Sequence, residues 1–258
     1  MQFYCPPFLT MKILLLTLLQ LLTFSSIGQK TAEEFIDDGF QERGKKAIRL
    51  YTKAIELDSN NAKAYWRRGD EYYKMKKYDI ALKDLNKSLQ VDSSFSFGQV
   101  ISDRGQTFEM LHNYSSAIND FTKAINYALQ QDTTIPQSIE QYYYHRGRTK
   151  LKFADTASAM VDLDSAIYFW QSHHFARALR AKTNCILGNY NAAWDDYNYM
   201  LKNDFASMDF PIDKEYSADF YYRGITKQHL GDSTFINDLN IAKQFHYYPG
   251  KIIYIKGL

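Results

Sequence analysis

The chain has 258 residues, 45% of them hydrophobic, and a formal net charge of +2 at pH 7. That apolar share is enough for a continuous core, and 31 basic against 29 acidic residues, with no run of like charge, leave no concentrated basic face for non-specific binding to nucleic acid or an acidic membrane. Two cysteines, Cys5 and Cys185, exclude a disulfide-dense scaffold.

The N-terminus reads as an export signal. Lys12 supplies the positive start, residues 13–24 the apolar stretch, and Ser26-Ile27-Gly28 a small-x-small cleavage site. The signal is expected to cover residues 1–28, with Met11 an alternative start, and the mature chain to begin at Gln29. The stretch is short for a bilayer span, so no stable membrane insertion is expected after cleavage; an uncleaved anchor is the alternative. The expected location is periplasmic, cell-envelope or secreted. Loss of Cys5 would leave Cys185 alone, read as a packed helix thiol because no neighbouring base is evident.

From residue 29 to 245 one pattern recurs. Gly69, Gly105, Gly147 and Ala181 are each followed twelve positions later by Ala81, Ala117, Ala159 and Ala193, and Gly224 is followed eleven later by Phe235. The units themselves start 36, 42, 34 and 43 residues apart. Fixed spacing within a unit and elastic spacing between units mark a helical repeat array with loop insertions. A second helix follows each small residue and carries Ala47/Tyr51/Ala54, Ala81/Leu85/Ser88, Ala117/Phe121/Ala124, Ala159/Leu163/Ala166, Ala193/Tyr197/Met200 and Phe235/Leu239/Ala242. Steps of four and three keep one helix face apolar. Twelve antiparallel helices are expected, with breaks near 59–61, 93–94, 132–136, 172–174 and 206–214.

First helices carrying Tyr65-Trp66-Arg67-Arg68-Gly69 and Tyr144-His145-Arg146-Gly147, and turns such as Lys77-Tyr78-Asp79-Ile80-Ala81 and Asn113-Tyr114-Ser115-Ser116-Ala117, resemble the tetratricopeptide repeat family. The resemblance covers residues 31–245 and implies an all-α, right-handed solenoid of about six stacked helix-turn-helix repeats. The chain departs from the family where Ser59 and Ser93 replace its closing Pro. In the first unit, Phe35 stands where the helix Gly is expected.

Arg68, Arg104, Arg146, Arg180 and Arg223 precede the small residue of each first helix. Asp84, Asp120, Asp162, Asp196 and Asp238 precede the large residue of each second helix. The first unit has Glu34 and Leu50 at these places and so lacks both partners together. Pairing within a unit leaves no orphan, whereas pairing with the preceding unit would set Arg68 against Leu50. Five intra-unit bridges are therefore expected.

Two Pro-containing inter-unit loops, 129–139 and 203–217, are either contact loops or neutral insertions. After Phe245, Pro249-Gly250 stops the helix and an apolar tail runs over 246–258. That tail either folds over the open end of the array or contacts another chain as a homo-oligomer.

Catalytic motifs are not found: there is no Gly-rich phosphate loop, Gly-x-Ser-x-Gly, His-Glu-x-x-His or paired Cys-x-x-Cys, and no cofactor is expected. The doublet His173-His174 has no third ligand at helical spacing, so no metal site is expected. The resemblance implies a concave groove lined by first-helix residues. Projected onto this chain it comprises Trp66, Asp70 and Tyr73; Ser102, Gln106 and Glu109; Tyr144, Arg148 and Leu151; Ala178, Lys182 and Cys185; and Tyr221, Ile225 and Gln228. Trp66, Asp70, Tyr73, Tyr144, Arg148 and Tyr221 are the groove candidates, the alternative for each being packing against the next unit. Trp66 and Asp70 stand where a family carboxylate clamp would have Lys and Asn, so that clamp is not supported. The expected function is a non-catalytic protein- or peptide-binding scaffold. A self-associating structural component and a carbohydrate-binding aromatic groove are the alternatives.

Overall fold

The computed structural model describes residues 30–94, 96–131, 138–200 and 217–244. These form six helix pairs: α1 (Ala32–Phe40) with α2 (Lys45–Leu57), α3 (Ala62–Lys74) with α4 (Tyr78–Val91), α5 (Phe97–Met110) with α6 (Tyr114–Gln130), α7 (Ile139–Lys152) with α8 (Thr156–Phe169), α9 (His174–Ile186) with α10 (Tyr190–Met200), and α11 (Ser217–His229) with α12 (Phe235–Gln244). The all-α repeat solenoid is as expected, with no strand among the described residues. Three expected breaks fall between α2 and α3, α4 and α5, and α8 and α9. The breaks at 132–136 and 206–214, most of both long loops, the signal 1–28 and the tail 246–258 lie outside the described residues.

Each helix packs most on its pair-mate, then on the next unit. First helices also touch the first helices of neighbouring units, as α1 does α3, α3 does α5, and α5 does α7. Among the described residues, second helices show no comparable contact with one another. The odd-numbered helices therefore line the tighter, inner side of the stack.

The core is built from the small and large positions read in the sequence. Ala47, Ala81, Ala117, Ala159 and Ala193 are fully buried, as are Leu85, Phe121 and Leu163. Burying one such large side chain contributes about 1.5–3 kcal/mol. Close approach is enforced by the small residue opposite. A Cβ on Gly105 would stand 2.9 Å from Cε1 of Phe121, inside contact distance.

The first unit departs from expectation. The glycine over the large residue is Gly39, where an added Cβ would fall 2.5 Å from Tyr51, and not a residue at position 35. Helix α1 ends one residue after its glycine, whereas α3, α5 and α7 continue for five more, so the pair is about one helical turn shorter. Fixed counting from Ala47 therefore lands one turn too early. Asp38, not Glu34, takes the place of the arginine, and it pairs with Lys30. Glu34 instead caps α1, accepting the Thr31 N–H at 2.7 Å while Thr31 Oγ accepts the Glu34 N–H at 3.2 Å. The buried Glu71 of α3 reaches the turn of this shorter pair. Its carboxylate accepts the Gly44 N–H at 2.7 Å, just ahead of α2.

All five expected bridges are present. Arg68 donates to Asp84 through Nε (2.7 Å) and Nη2 (2.9 Å). Arg104–Asp120, Arg146–Asp162, Arg180–Asp196 and Arg223–Asp238 repeat the two-point geometry at 2.6–2.9 Å. The sequence did not disclose that a third donor, Nη1, reaches the preceding unit. It donates to Thr52, Asn86, Thr122 and Asp164 from the first four arginines in turn. Each of these acceptors follows the large residue of its helix, so one guanidinium ties both its own pair and the pair before.

Seven residues after each small residue, the turn enters left-handed backbone at Lys76, His112, Ala154, Gly188 and Gly231, with φ between 59° and 80°. Such a residue ends the first helix and turns the chain into the second. Only two of the five positions hold the glycine that this conformation favours.

Candidate partner-binding groove

The inner side of the stack brings the candidates together in two groups. In the first, Trp66, Asp70 and Tyr73 of α3 face α5. Trp66 Nε1 donates to Asp103 Oδ2 at 2.7 Å, and the Arg67 guanidinium lies 4.1 Å over the Trp66 ring. Asp70 accepts from Lys74 at 2.7 Å. Tyr73 meets Tyr78 edge-on at 5.5 Å. Asp70 and Tyr73 join Leu85, Asp103, Gln106 and Thr107 around a small hollow.

The second group is centred on Tyr144 and Arg148 of α7. Arg148 lies 5.5 Å over the Tyr144 ring and donates to Glu109 of α5 at 3.0 Å. The Tyr144 ring also packs against His173, 5.1 Å away, and Phe175, 6.3 Å away, at the start of α9. The two groups adjoin: burial pushes the Tyr73 phenol pKa up, and the charges of Arg148 and Glu109 are near enough to act on it as well. Tyr221 stands apart on α11. It packs edge-on to Tyr222 at 5.2 Å, beside the cluster holding Ala181 and Cys185.

Several projected groove residues instead pack between units. Ser102, Glu109, Leu151 and Cys185 are buried. Positions three before and four after the small residue sit at the seam between first helices, and a neighbouring helix covers them wherever the stack closes tightly. Burial pushes the Cys185 thiol up, in keeping with a packed cysteine. Gln106, Ala178, Lys182 and Ile225 are half-buried, and Gln228 is exposed.

The buried Glu109 is well supplied with donors. Arg148, Lys152 and the Thr149 hydroxyl (2.7 Å) all donate to it. Burial alone would raise its pKa, but those partners outweigh burial and hold it below the usual carboxylate range. Asp103 has the opposite balance. Burial pushes it up to about 6, hydrogen bonds from Trp66 and Gln99 oppose this only in part, and the Asp70 charge raises it further. Two imidazoles are held neutral: burial first, and then the neighbouring Arg148, push His145 down to about 3. Burial and the His174 charge push His173 down to about 4. His173 Nδ1 accepts the Ala176 N–H at 3.3 Å, so it serves as the N-cap of α9.

Asp103, Arg67 and His145 were missed by the sequence reading. All three stand two residues before the small residue, and a polar side chain there in three successive units was the available signal. No group of three or more metal-ligating side chains occurs among the described residues, and no described helix is long and apolar enough to cross a membrane.

Comparison with known proteins agrees with this architecture. A TPR repeat model matches residues 41–76, and a tetratricopeptide repeat model matches 62–95. Hsc70-interacting protein 1 of Drosophila melanogaster is 31% identical over 93 residues, which is 36% of this chain and 24% of that protein. Human DnaJ homolog subfamily C member 7 is 26% identical over 191 residues, 70% of this chain and 38% of that protein. The chain thus spans a quarter to two-fifths of these relatives. Among solved structures, Pseudomonas aeruginosa pilF superposes with a TM-score of 0.68 at 16% identity, covering 85% of this chain and 92% of that one. YrrB, described as a TPR protein with an unusual peptide-binding site, gives 0.54 at 18% identity, covering 77% and 93%. Two repeat models matched in overlap, the recurring small-and-large pattern and the stacked helix pairs make this chain a tetratricopeptide repeat protein.

Proposed function

We propose that the chain is a non-catalytic scaffold that binds a protein or peptide partner along the inner face of its first helices. The observation carrying this reading is the adjoining of Trp66, Asp70 and Tyr73 with Tyr144 and Arg148, half-buried side chains drawn from α3 and α7 onto one face. Such aromatics and arginines supply much contact area at low rotamer cost. Relatives named for binding Hsc70 and for DnaJ homology support a protein partner in general. They do not specify Hsc70, because the shared segment is only part of their length.

The test is a photo-activated cross-linker placed at Tyr144 and, as a control, at the outer-face Lys87. A partner trapped from position 144 and not from 87 supports the reading, and Tyr144→Ala or Arg148→Ala should then weaken its affinity by about 2 kcal/mol. Trapping from Lys87 alone would discard the groove. Export belongs to the same reading and rests on the pattern at residues 12–28. Mass spectrometry should find a chain starting at Gln29 outside the cytoplasm; an intact chain in the cytoplasm would reverse that part.

Self-association has one specific observation in its favour. Leu239 of α12 is only half-buried, whereas its equivalents Leu85, Phe121 and Leu163 are fully buried, and Ile236 beside it is 54% exposed. Light scattering of the pure protein reads this directly: a stable dimer favours it, and a monomer at all concentrations removes it.

A further inference from the structure

We propose that the hollow between α3 and α5, walled by Asp70, Tyr73, Asp103 and Gln106, receives the cationic head of a lysine or arginine side chain from the partner. The inference rests on the partner-binding reading and adds the chemistry of what is bound.

The hollow measures about 50 Å³. One water needs about 10–15 Å³ of such space, so an ammonium group or one edge of a guanidinium fits. Its charge balance is unlike that of the fully buried acids among the described residues. The aspartate of every intra-unit bridge, together with Glu71 and Glu109, has a lysine or arginine within salt-bridge distance. Asp103 has none among the described residues. It is held by neutral donors alone: Trp66 Nε1 at 2.7 Å on Oδ2, and Gln99 Nε2 at 2.9 Å and Gln106 Nε2 at 3.4 Å on Oδ1.

Across the hollow stands a second carboxylate, Asp70. Its one cation, Lys74, is largely exposed and is shared with Glu71. Arg67 acts on Asp103 only through its field, since its guanidinium lies over the Trp66 and Phe40 rings. Three neutral donors aim the Asp103 carboxylate but cannot offset its charge, and a half-buried carboxylate without a counter-ion carries a desolvation cost. An incoming cation would supply that charge through a charge-assisted hydrogen bond. Tyr73 would flank the alkyl stem and offer its ring to the head. Asp219 also lacks an ion pair among the described residues. However, Lys182 and Arg223 both act on it, and it stands three residues after the undescribed stretch 201–216.

The probe is N-acetyl-arginine amide, with N-acetyl-citrulline amide as its uncharged counterpart, titrated into the full chain labelled with ¹⁵N. The reporter is the Trp66 indole N–H resonance, identified by its loss in Trp66→Phe. The expected result is a saturable shift with the arginine probe, at a midpoint roughly tenfold below that of citrulline. The shift should vanish in Asp103→Asn and weaken in Asp70→Asn. Asp103→Asn keeps an acceptor for Trp66, and its thermal midpoint should equal or exceed the parent's, so loss of the shift cannot be laid to unfolding. Equal responses to both probes, no saturable shift, or parental binding by Asp103→Asn would overturn the proposal. A partner cross-linked from the groove but indifferent to Asp103→Asn would sink this inference and leave the partner-binding reading intact. An arginine response with no partner trapped would do the reverse.

Discussion

Two polar seams run through this molecule, and they obey opposite rules. Between the helices of a pair, each buried aspartate meets the two-point fork of its own arginine, and that arginine reaches back to the preceding unit from α3, α5, α7 and α9. Between α3 and α5 on the inner face, Asp103 is half-buried and meets only neutral donors. The first seam is closed and repeats down the stack. The second does not repeat from unit to unit and is left short of a cation. A bridge that recurs in five of the six pairs fixes geometry, whereas an uncompensated charge outside that pattern is a departure that packing does not require.

The largest effect should come from breaking a closed seam. Arg104→Ala strands Asp120 inside the pair and should cost about 3–5 kcal/mol in denaturant unfolding. The double variant Arg104→Met with Asp120→Leu should recover most of that, because the strandedness of the charge, and not the loss of the pair, carries the penalty. A double variant as unstable as the single would show that the fork contributes more than charge balance.

Next in size is Glu109→Gln, which leaves Arg148 and Lys152 facing a neutral amide. A loss of about 2 kcal/mol is expected. No measurable loss would place Glu109 nearer the open seam than the closed one.

Asp103→Asn should run the other way. The folded-state pKa of Asp103 is raised to about 6, so its neutral form is favoured by folding. The penalty of ionising it is therefore fully present above about pH 6, shrinks as pH falls, and is gone below its unfolded value of 3.8. The asparagine variant should be more stable than the parent by on the order of 1–2 kcal/mol at pH 7 and equal to it near pH 4. His145 and His173 have lowered pKa values and lose stability over the same range as pH falls. Only the difference between the two proteins isolates Asp103. A difference that does not change with pH would separate this seam from any charge effect.

The smallest effect concerns the turn that presents the closed seam. Ala154 holds left-handed backbone at φ 63°, where Gly188 and Gly231 sit in later units. Ala154→Gly should stabilise by about 0.5–1 kcal/mol in thermal unfolding with the bridges untouched. A loss would mean that the methyl group packs well enough to offset the strain.

Much of the closed seam was legible in the sequence. Arginine before the small residue and aspartate before the large one recur at constant spacing, and their joint absence from the first unit fixes which partner each takes. The hidden part was the third donor of the first four arginines, because its acceptors are Thr52, Asn86, Thr122 and Asp164, which share a position but not a single residue type. The open seam was only half legible. Trp66, Asp70 and Tyr73 were placed on the inner face by period alone, but Asp103 lies two residues before Gly105, where period puts it between the inner face and the neighbouring helix. Ser102 and Glu109 were read as groove residues and are buried, because their exposure depends on how closely α5 is covered by its neighbours.

The sequence by itself determined the helix pairs, their small and large core positions and the five bridges within pairs, because each of these depends on local spacing along one or two adjacent helices. Tertiary structure decided that Gly39 and not Phe35 faces Tyr51, since a turn of helix is missing from α1 and fixed counting cannot see a deletion. It also decided which inner-face side chains stay open and that Asp103 is left without a cation. Those outcomes depend on the distance between helices of successive units, which packing sets and a single repeat's pattern does not encode.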